Sequence, residues 1–200
     1  MLPVMSVRRY AKLTDGTMTT FFTADLHFGH ANIITYCDRP FANADEMNEH
    51  LVDYWNDAVR PEDTVWVLGD VAMGKLRETL PLVGLLNGHK HLVAGNHDRC
   101  WEGHHKGVEQ ATKDYLAAGF ETVQQGPIEV EGLLCSHFPY VDDVRHLGKF
   151  AKWQPPYQAR WLLHGHVHTS WRVIPWQINV GVDVWNYTPV SREQLDVIAN

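Results

Sequence analysis

Cysteine is scarce in this 200-residue sequence. Cys37, Cys100 and Cys135 form an odd set with no C-x-x-C spacing. This argues against a disulfide framework and a thiolate zinc site, and makes a reducing compartment the default expectation. Positive charge is short as well: the formal net charge is −7, whereas affinity for a duplex backbone rests on an excess of Lys and Arg. Long apolar runs are missing. No stretch approaches a bilayer span, and the opening "MLPVMSVRRY" lacks an apolar segment long enough for a signal peptide. We therefore expect a soluble, cytoplasmic protein with no membrane association and no stable duplex binding. Nothing in the sequence specifies an oligomeric state.

Internal repeats and low-complexity linkers are absent too, so a single domain over residues 1–200 is expected, with its core from about residue 19. The segment before Met18 carries little pattern, and Met18 is a candidate second start. What the chain has in excess is histidine, with 13, and the informative ones sit where apolar runs stop.

Strand-like and helix-like segments alternate. "TTFFTAD", "TVWVLGD", "KHLVAGNHD", "ARWLLHGHVH" and "QINVGVD" read as strands, and "PIEVEGLLCSH" as a hairpin turning at Glu131-Gly132. Residues 44–59 place Met47, Leu51, Val52, Trp55 and Val59 on one helical face. Residues 75–88 read as a helix that Pro81 kinks and Gly88 caps. Residues 107–120 form a helix stopped by Gly119, and Ser191 with Gln194 makes a capping box for a last helix. The alternation favours a layered α/β fold, whose sites collect beyond the carboxyl ends of strands.

Five clusters lie at such ends: Asp25-x-His27, Gly69-Asp70, Gly95-Asn96-His97-Asp98, His137 and Gly165-His166-Val167-His168. Each is weak alone. A D-x-H triplet or a G-D pair occurs by chance, and a lone histidine on a strand is more often a satisfied structural residue. In this order, each closing an apolar run, they form one signal. Oxygen and imidazole donors without thiolate suit divalent Mn, Fe, Co, Ni or Zn in an open geometry. On an extended strand end, Asp25 and His27 would point to one side and grip one ion. Asp70 would bridge two ions with its two oxygens. Two divalent cations, two carboxylates and a hydroxide leave about one positive charge, which favours a phosphate even on an acidic protein.

This pattern resembles that of the calcineurin-like metallophosphoesterase superfamily, from about Phe21 to Asp183. The opening "FFTADLHFGHANII" and the ending "NVGVDVWNYTPVS" are similar to small phosphoesterases of bacteria and their phages. The resemblance implies a two-sheet β-sandwich flanked by helices. It implies Asp25, His27 and His168 as ligands of one cation, Asp70 as a bridge, and Asn96, His137 and His166 as ligands of a second, with Mn²⁺ favoured. It makes His97 the acid that protonates the leaving oxygen, oriented by Asp98. A further acidic residue that many relatives carry after the G-D motif has no counterpart in "GDVAMG".

The implied activity is hydrolysis of a phosphodiester by in-line attack of a metal-bridging hydroxide. The substrate would be nucleotide-type, such as a 2′,3′-cyclic nucleotide or a nucleic-acid end. A phosphomonoesterase, including a protein phosphatase, is the enzymatic alternative. A non-catalytic, metal-stabilised interaction module is the other, although such a module has no need of His97. His30 either meets a phosphate oxygen, supports His27 or makes a plain loop hydrogen bond. Arg99 either clamps a phosphate oxygen or sits in an exposed salt bridge. His164 is expected to be structural, His104 and His105 to lie in a solvated loop, and His50, His89, His91 and His146 to be surface or packing residues. The stretch from Phe138 to Gln158 interleaves basic and aromatic residues, which suits either a nucleotide or aromatic packing under a surface loop.

Overall fold

The computed structural model describes residues 18–199; the segment before Met18, with the question of a second start, lies outside them. In chain order the elements are β1 (Thr20–Thr23), α1 (Ala31–Tyr36), α2 (Ala44–Ala58), β2 (Thr64–Val67), α3 (Leu76–Thr79), β3 (His89–Val93), α4 (Val108–Ala118) and β4 (Phe120–Gln124). There follow β5 (Ile128–Val130), β6 (Leu133–Cys135), β7 (Leu162–His164), β8 (Val173–Ile174), β9 (Gln177–Asn179), β10 (Val190–Ser191) and α5 (Arg192–Ala199). They make two five-stranded sheets, ordered β10-β1-β2-β3-β4 and β5-β6-β7-β9-β8. Strands β1 to β4 run parallel, and so do β6, β7 and β9; β10, β5 and β8 are antiparallel edges. This is a two-sheet α/β fold.

The uninterrupted apolar runs have a simple cause: the first sheet is buried on both faces. Phe21, Val65, Val67 and Leu92 pack into a core with Met47, Leu51 and Trp55 of α2. Their alternates Phe22, Leu68 and Val93 pack into a second core with Leu133, Cys135, Leu163 and Ile178 of the other sheet. Register then sets the site. Thr20 to Thr23 pair level with Thr64 to Val67, so β1 and β2 stop together and Asp25 and Asp70 emerge side by side. The pairing continues beyond the strands, with Asp25 N–H on Gly69 O and His27 N–H on Asp70 O, both 3.0 Å. The sheets meet at the same place, where Val182 N–H donates to Ala24 O at 3.0 Å.

Most local expectations hold. Asn43 Oδ1 caps α2 by accepting from Glu46 N–H, and Val59 ends the helix in an extended conformation. Pro81 breaks the 75–88 segment into α3 and a 3-10 helix over Leu80–Leu85. Glu131 and Gly132 both take positive φ, as a two-residue hairpin turn requires. Ser191 and Gln194 exchange both capping hydrogen bonds. Two things differ. Helix α1 and strands β4, β8 and β10 are additions, each too short to show a period. The strands stop earlier than their sequence runs, because the polar ends turn into loops. No helix among the described residues is long and apolar enough to cross a membrane.

Trp55 is fully buried, and its Nε1 donates to Asn87 O at 3.0 Å, pinning α2 to the 3-10 segment. Trp55→Ala is expected to lower the unfolding free energy by about 3–5 kcal/mol. Urea denaturation checks this as a fall in midpoint at unchanged slope.

Candidate metal centre

The loops that follow β1, β2, β3, β6 and β7 carry the seven expected ligands to one place. Asp25, His27, Asp70, His166 and His168 all have left-handed backbones, with φ of 58°, 53°, 57°, 71° and 48°. For non-glycine residues this costs on the order of 1–3 kcal/mol each, and such strain concentrates at functional sites. It also corrects the expected geometry of the Asp25-x-His27 pair. The two side chains converge because both residues are left-handed, and the strand is no longer extended there. Arg39 holds this turn, with Nη1 donating to Leu26 O at 3.0 Å and Nη2 to Asp25 O at 2.8 Å.

Close backbone approach is needed as well. A Cβ on Gly95 would lie 2.8 Å from the Asp70 nitrogen and from His137 Cε1, and nearer still to Asp70 Oδ1. A Cβ on Gly165 would lie 2.6 Å from Ala24 Cβ and 2.8 Å from Asp25 Oδ2. Glycine at these two positions lets the third and fifth loops touch the carboxylates.

The hydrogen bonds leave electron pairs pointing inwards. His137 Nδ1 donates to Leu68 O at 2.8 Å, so Nε2 carries the lone pair. That lone pair faces Asn96 Oδ1 at 3.1 Å and Asp70 Oδ2 at 3.6 Å. His27 Nε2 also lies 3.6 Å from Asp70 Oδ2. Asp70 Oδ1 is taken by His97 N–H at 2.9 Å. Asp70 Oδ2 lies between the two imidazoles, and Oδ1 keeps a second lone pair beside the bond from His97 N–H. His168 Nδ1 donates to Asp183 Oδ2 at 2.9 Å, which leaves Nε2 for the site. Both ring nitrogens of His27 and Nε2 of His166 are buried with no hydrogen-bond partner among the described residues. Donor atoms of Asp25, His27 and His168 lie within 4.8 Å of one another, and so do those of Asp25, Asp70 and His137. Buried acceptors facing one another without a proton are costly, and a cation removes the cost. The residues fit two divalent ions.

Electrostatics agree with this. Burial pushes the Asp25 and Asp70 carboxyls up to about 6. Burial holds His27, His137 and His166 below the usual imidazole range, so they stay neutral and able to ligate. Burial opposes charge on His168 too, but the Asp25 and Asp183 carboxylates outweigh it and raise that pKa well above normal. Asp183 in turn is held by Arg39, with Nε–Oδ1 at 2.8 Å and Nη2–Oδ2 at 3.1 Å.

His97 stands exposed at the mouth of the cluster, its ring centre 5.4 Å from that of His27. Asp98 does not orient it. The Asp98 carboxylate is fully buried and accepts from the Asp70, Val71 and Gly95 amides at 2.8, 3.0 and 2.9 Å and from Tyr115 Oη at 3.0 Å. These bonds use its acceptor positions, so Asp98 acts by fastening the second loop to the third. His30 has its ring centre 5.3 Å from that of His27, and its Nδ1 lacks any partner among the described residues. A plain loop hydrogen bond through Nδ1 is thereby ruled out.

Arg99 is exposed with no carboxylate partner among the described residues, contrary to the salt-bridge alternative. It lines a recess of about 200 Å³ with Asn96, His97 and His104. His104 therefore belongs to the rim and not to a solvated loop. His146 also departs from expectation: its Nδ1 bonds Asp143 Oδ1 at 2.9 Å, and its ring centre is 4.4 Å from that of His166. His164 is buried in β7 as expected, and His50, His89 and His91 pack on Phe41, Glu121 and Trp66. The stretch from Phe138 to Gln158 resolves towards packing. Phe138, Phe150 and Trp153 gather around Trp101, and Arg145 is tied to Asp143 and Val167 O. Arg39, Tyr115, Asp143 and Asp183 were missed. Only Asp183 had a signal, as the last residue of "NVGVD".

Scanned against family models, the chain matches none. It is 37% identical over 185 residues to the Gene 66 protein of Mycobacterium phage D29, covering 83% of this chain and 88% of that protein. It is 33% identical over 187 residues to the uncharacterized protein MJ1445 of Methanocaldococcus jannaschii, covering 89% and 88%. The chain belongs to the family of these phage and archaeal proteins. Among solved structures, it is similar to AQ665 of Aquifex aeolicus, a protein of unknown function. The TM-score is 0.66 at 25% identity, over 91% of this chain and all of that one.

Two outcomes follow from this geometry. A cation must displace the proton of His168 at neutral pH and those of Asp25 and Asp70 once the pH falls below about 6. Mn²⁺ affinity should thus decline on acidification, with proton release rising from about one per chain at pH 7.5 to about three at pH 5. Titration calorimetry in buffers of different ionisation enthalpy measures this number. Asp183→Asn removes the charge that orients His168 and should weaken Mn²⁺ binding about 10- to 100-fold, read by the same titration.

Proposed function

We propose that this chain is a dinuclear metal-dependent phosphodiesterase of the calcineurin-like metallophosphoesterase type. One observation carries the reading: ring nitrogens of buried His27 and His137 both face Asp70 Oδ2 at 3.6 Å, with Asn96 Oδ1 against the His137 nitrogen, beside one exposed imidazole, His97. Two five-stranded sheets contributing to one core agree with the β-sandwich of that superfamily.

In this proposal Asp25, His27 and His168 would hold one ion, Asn96, His137 and His166 the other, and Asp70 would serve both. Bound divalent ions supply charge to the phosphate and a nucleophilic hydroxide at neutral pH. The remaining work falls to the chain. Arg99, without a carboxylate partner among the described residues, offers its guanidinium to a phosphate oxygen at the recess. His97 gives its proton to the departing oxygen. Burial lowers its pKa while the nearby Asp98 charge opposes the fall, so it gives up a proton readily. His30, its ring centre 5.3 Å from that of His27, would meet the same phosphate.

A diester is favoured over a monoester because a monoester brings a further negative charge, and Arg99 is the one guanidinium on the recess. The nucleotide class is argued below from a neighbouring groove.

The test is turnover with Mn²⁺ on bis-p-nitrophenyl phosphate against p-nitrophenyl phosphate. Preference for the diester is expected, and a large monoester preference or no turnover on either would overturn the proposal. His97→Ala should keep two ions per chain by elemental analysis. It should lose about 10²–10⁴-fold on an alkyl leaving group, which needs an acid, and much less on nitrophenolate.

A further inference from the structure

A groove of about 910 Å³ lies beside the candidate metal centre, walled by α3 and its 3-10 extension on one side and by α4 on the other. Its floor is apolar, made by Leu76, Leu80, Pro81, Ala111 and Ala118. Three cations stand on it: Arg77, Arg99 and Lys106. The opposing charge is Asp114, whose Oδ1 accepts from Gln110 Nε2 at 2.9 Å. Arg99 and Lys106 have no carboxylate partner among the described residues, and Arg77 has only the exposed Glu78 at 3.6 Å, which Lys75 shares at 3.5 Å. On a chain of net charge −7, such a strip is a local reversal of sign.

The groove is continuous with the site. Leu76 and Arg99 line both it and the recess that holds Asn96 and His97. Its α4 wall is tied to the same place, because the Tyr115 hydroxyl bonds the Asp98 carboxylate that fastens the second and third loops. The volume falls within the roughly 300–1,000 Å³ of small-molecule sites, enough for one nucleotide unit.

We infer that this groove holds the nucleotide next to the scissile diester, with its base on the apolar floor and its own phosphate on Arg77 and Lys106. The substrate is then the end of a short single-stranded oligonucleotide. This rests on the phosphodiesterase reading and sharpens it. A 2′,3′-cyclic mononucleotide has one phosphate, which is used at the metal centre and leaves Arg77 and Lys106 without a ligand. A duplex keeps its bases paired and cannot lay one on the floor. Aliphatic contact in place of aromatic stacking makes the groove indifferent to which base it takes, and the charge contacts make binding dependent on salt.

The experiment uses the double variant Arg77→Gln/Lys106→Gln, whose positions are exposed and whose fold is verified by circular dichroism. Binding of a fluorescein-labelled, 5′-phosphorylated tri-thymidylate is measured by anisotropy in EDTA, and turnover of the same oligonucleotide and of bis-p-nitrophenyl phosphate is measured in Mn²⁺. The variant should bind the oligonucleotide at least tenfold more weakly. The log–log salt slope should shrink by about 0.7, for the one phosphate contact that the two side chains share. The kcat/KM ratio of oligonucleotide to bis-p-nitrophenyl phosphate should fall at least tenfold. Unchanged affinity, slope and ratio would overturn the inference. Selective loss of oligonucleotide binding, with no turnover of either substrate by the parent, would keep the groove and sink the phosphodiesterase reading instead.

Discussion

Two imidazole nitrogens and a carboxylate oxygen, Oδ2 of Asp70, crowd together at a distance too long for a hydrogen bond. The nitrogens approach that oxygen from two sides at 3.6 Å, and an amide oxygen lies 3.1 Å from one of those nitrogens. Burial makes the crowding worse, because it removes the water that would otherwise solvate each lone pair. Much of the surrounding structure makes sense as a device for holding this unfavourable arrangement in place. The pKa of the carboxyl and those of the neighbouring imidazoles move in opposite directions for the same reason, since each group is pushed towards its neutral form.

The device has three parts. Left-handed backbones turn five donor residues inwards at local cost. Buried charges fasten the loops from behind. Asp98 collects three amides and a phenol from segments far apart in sequence, while the Arg39–Asp183 pair links the first loop to the last and sets the tautomer of His168. Both pairs of partners are buried, so the loss of either member leaves an uncompensated group in the interior. The sheets supply the third part by ending their parallel strands level, which brings the loops to one edge.

On the proposed reading, an acidic chain acting on a phosphodiester needs its positive charge to be local. That charge would have two sources of different kinds: ions held by the cluster, and Arg77, Arg99 and Lys106 along the apolar groove. The long segment after His137, which combines basic and aromatic residues, is committed in part, with Tyr157 left exposed and Lys149 and Lys152 lying over Phe150 and Trp153. Its aromatic rings pack on Trp101, and Arg145 is committed to Asp143. The groove inferred to take a nucleotide lies on the other side of the recess, between two helices whose sequences gave no hint of it.

Much of the centre was legible in the chain itself. The five clusters could be named because each closes an apolar run, while the choice of Asp25, His27, Asp70, Asn96, His137, His166 and His168 within them came from the resemblance to the metallophosphoesterase superfamily. Strands buried on both faces write their length into sequence, and ligand chemistry restricts the residue types that can follow. Helix α2, the hairpin at Glu131-Gly132 and the cap at Ser191 were legible too, because helix periodicity, turn conformation and capping depend on residues only a few positions apart. What the tertiary structure decided was every relationship across distance. It set Asp98 to fastening loops and left His97 unpaired with it, placed His146 against His166, joined Arg39 to Asp183, and opened the groove beside Arg99. Such contacts depend on how separate segments pack, and no periodicity or local propensity records that.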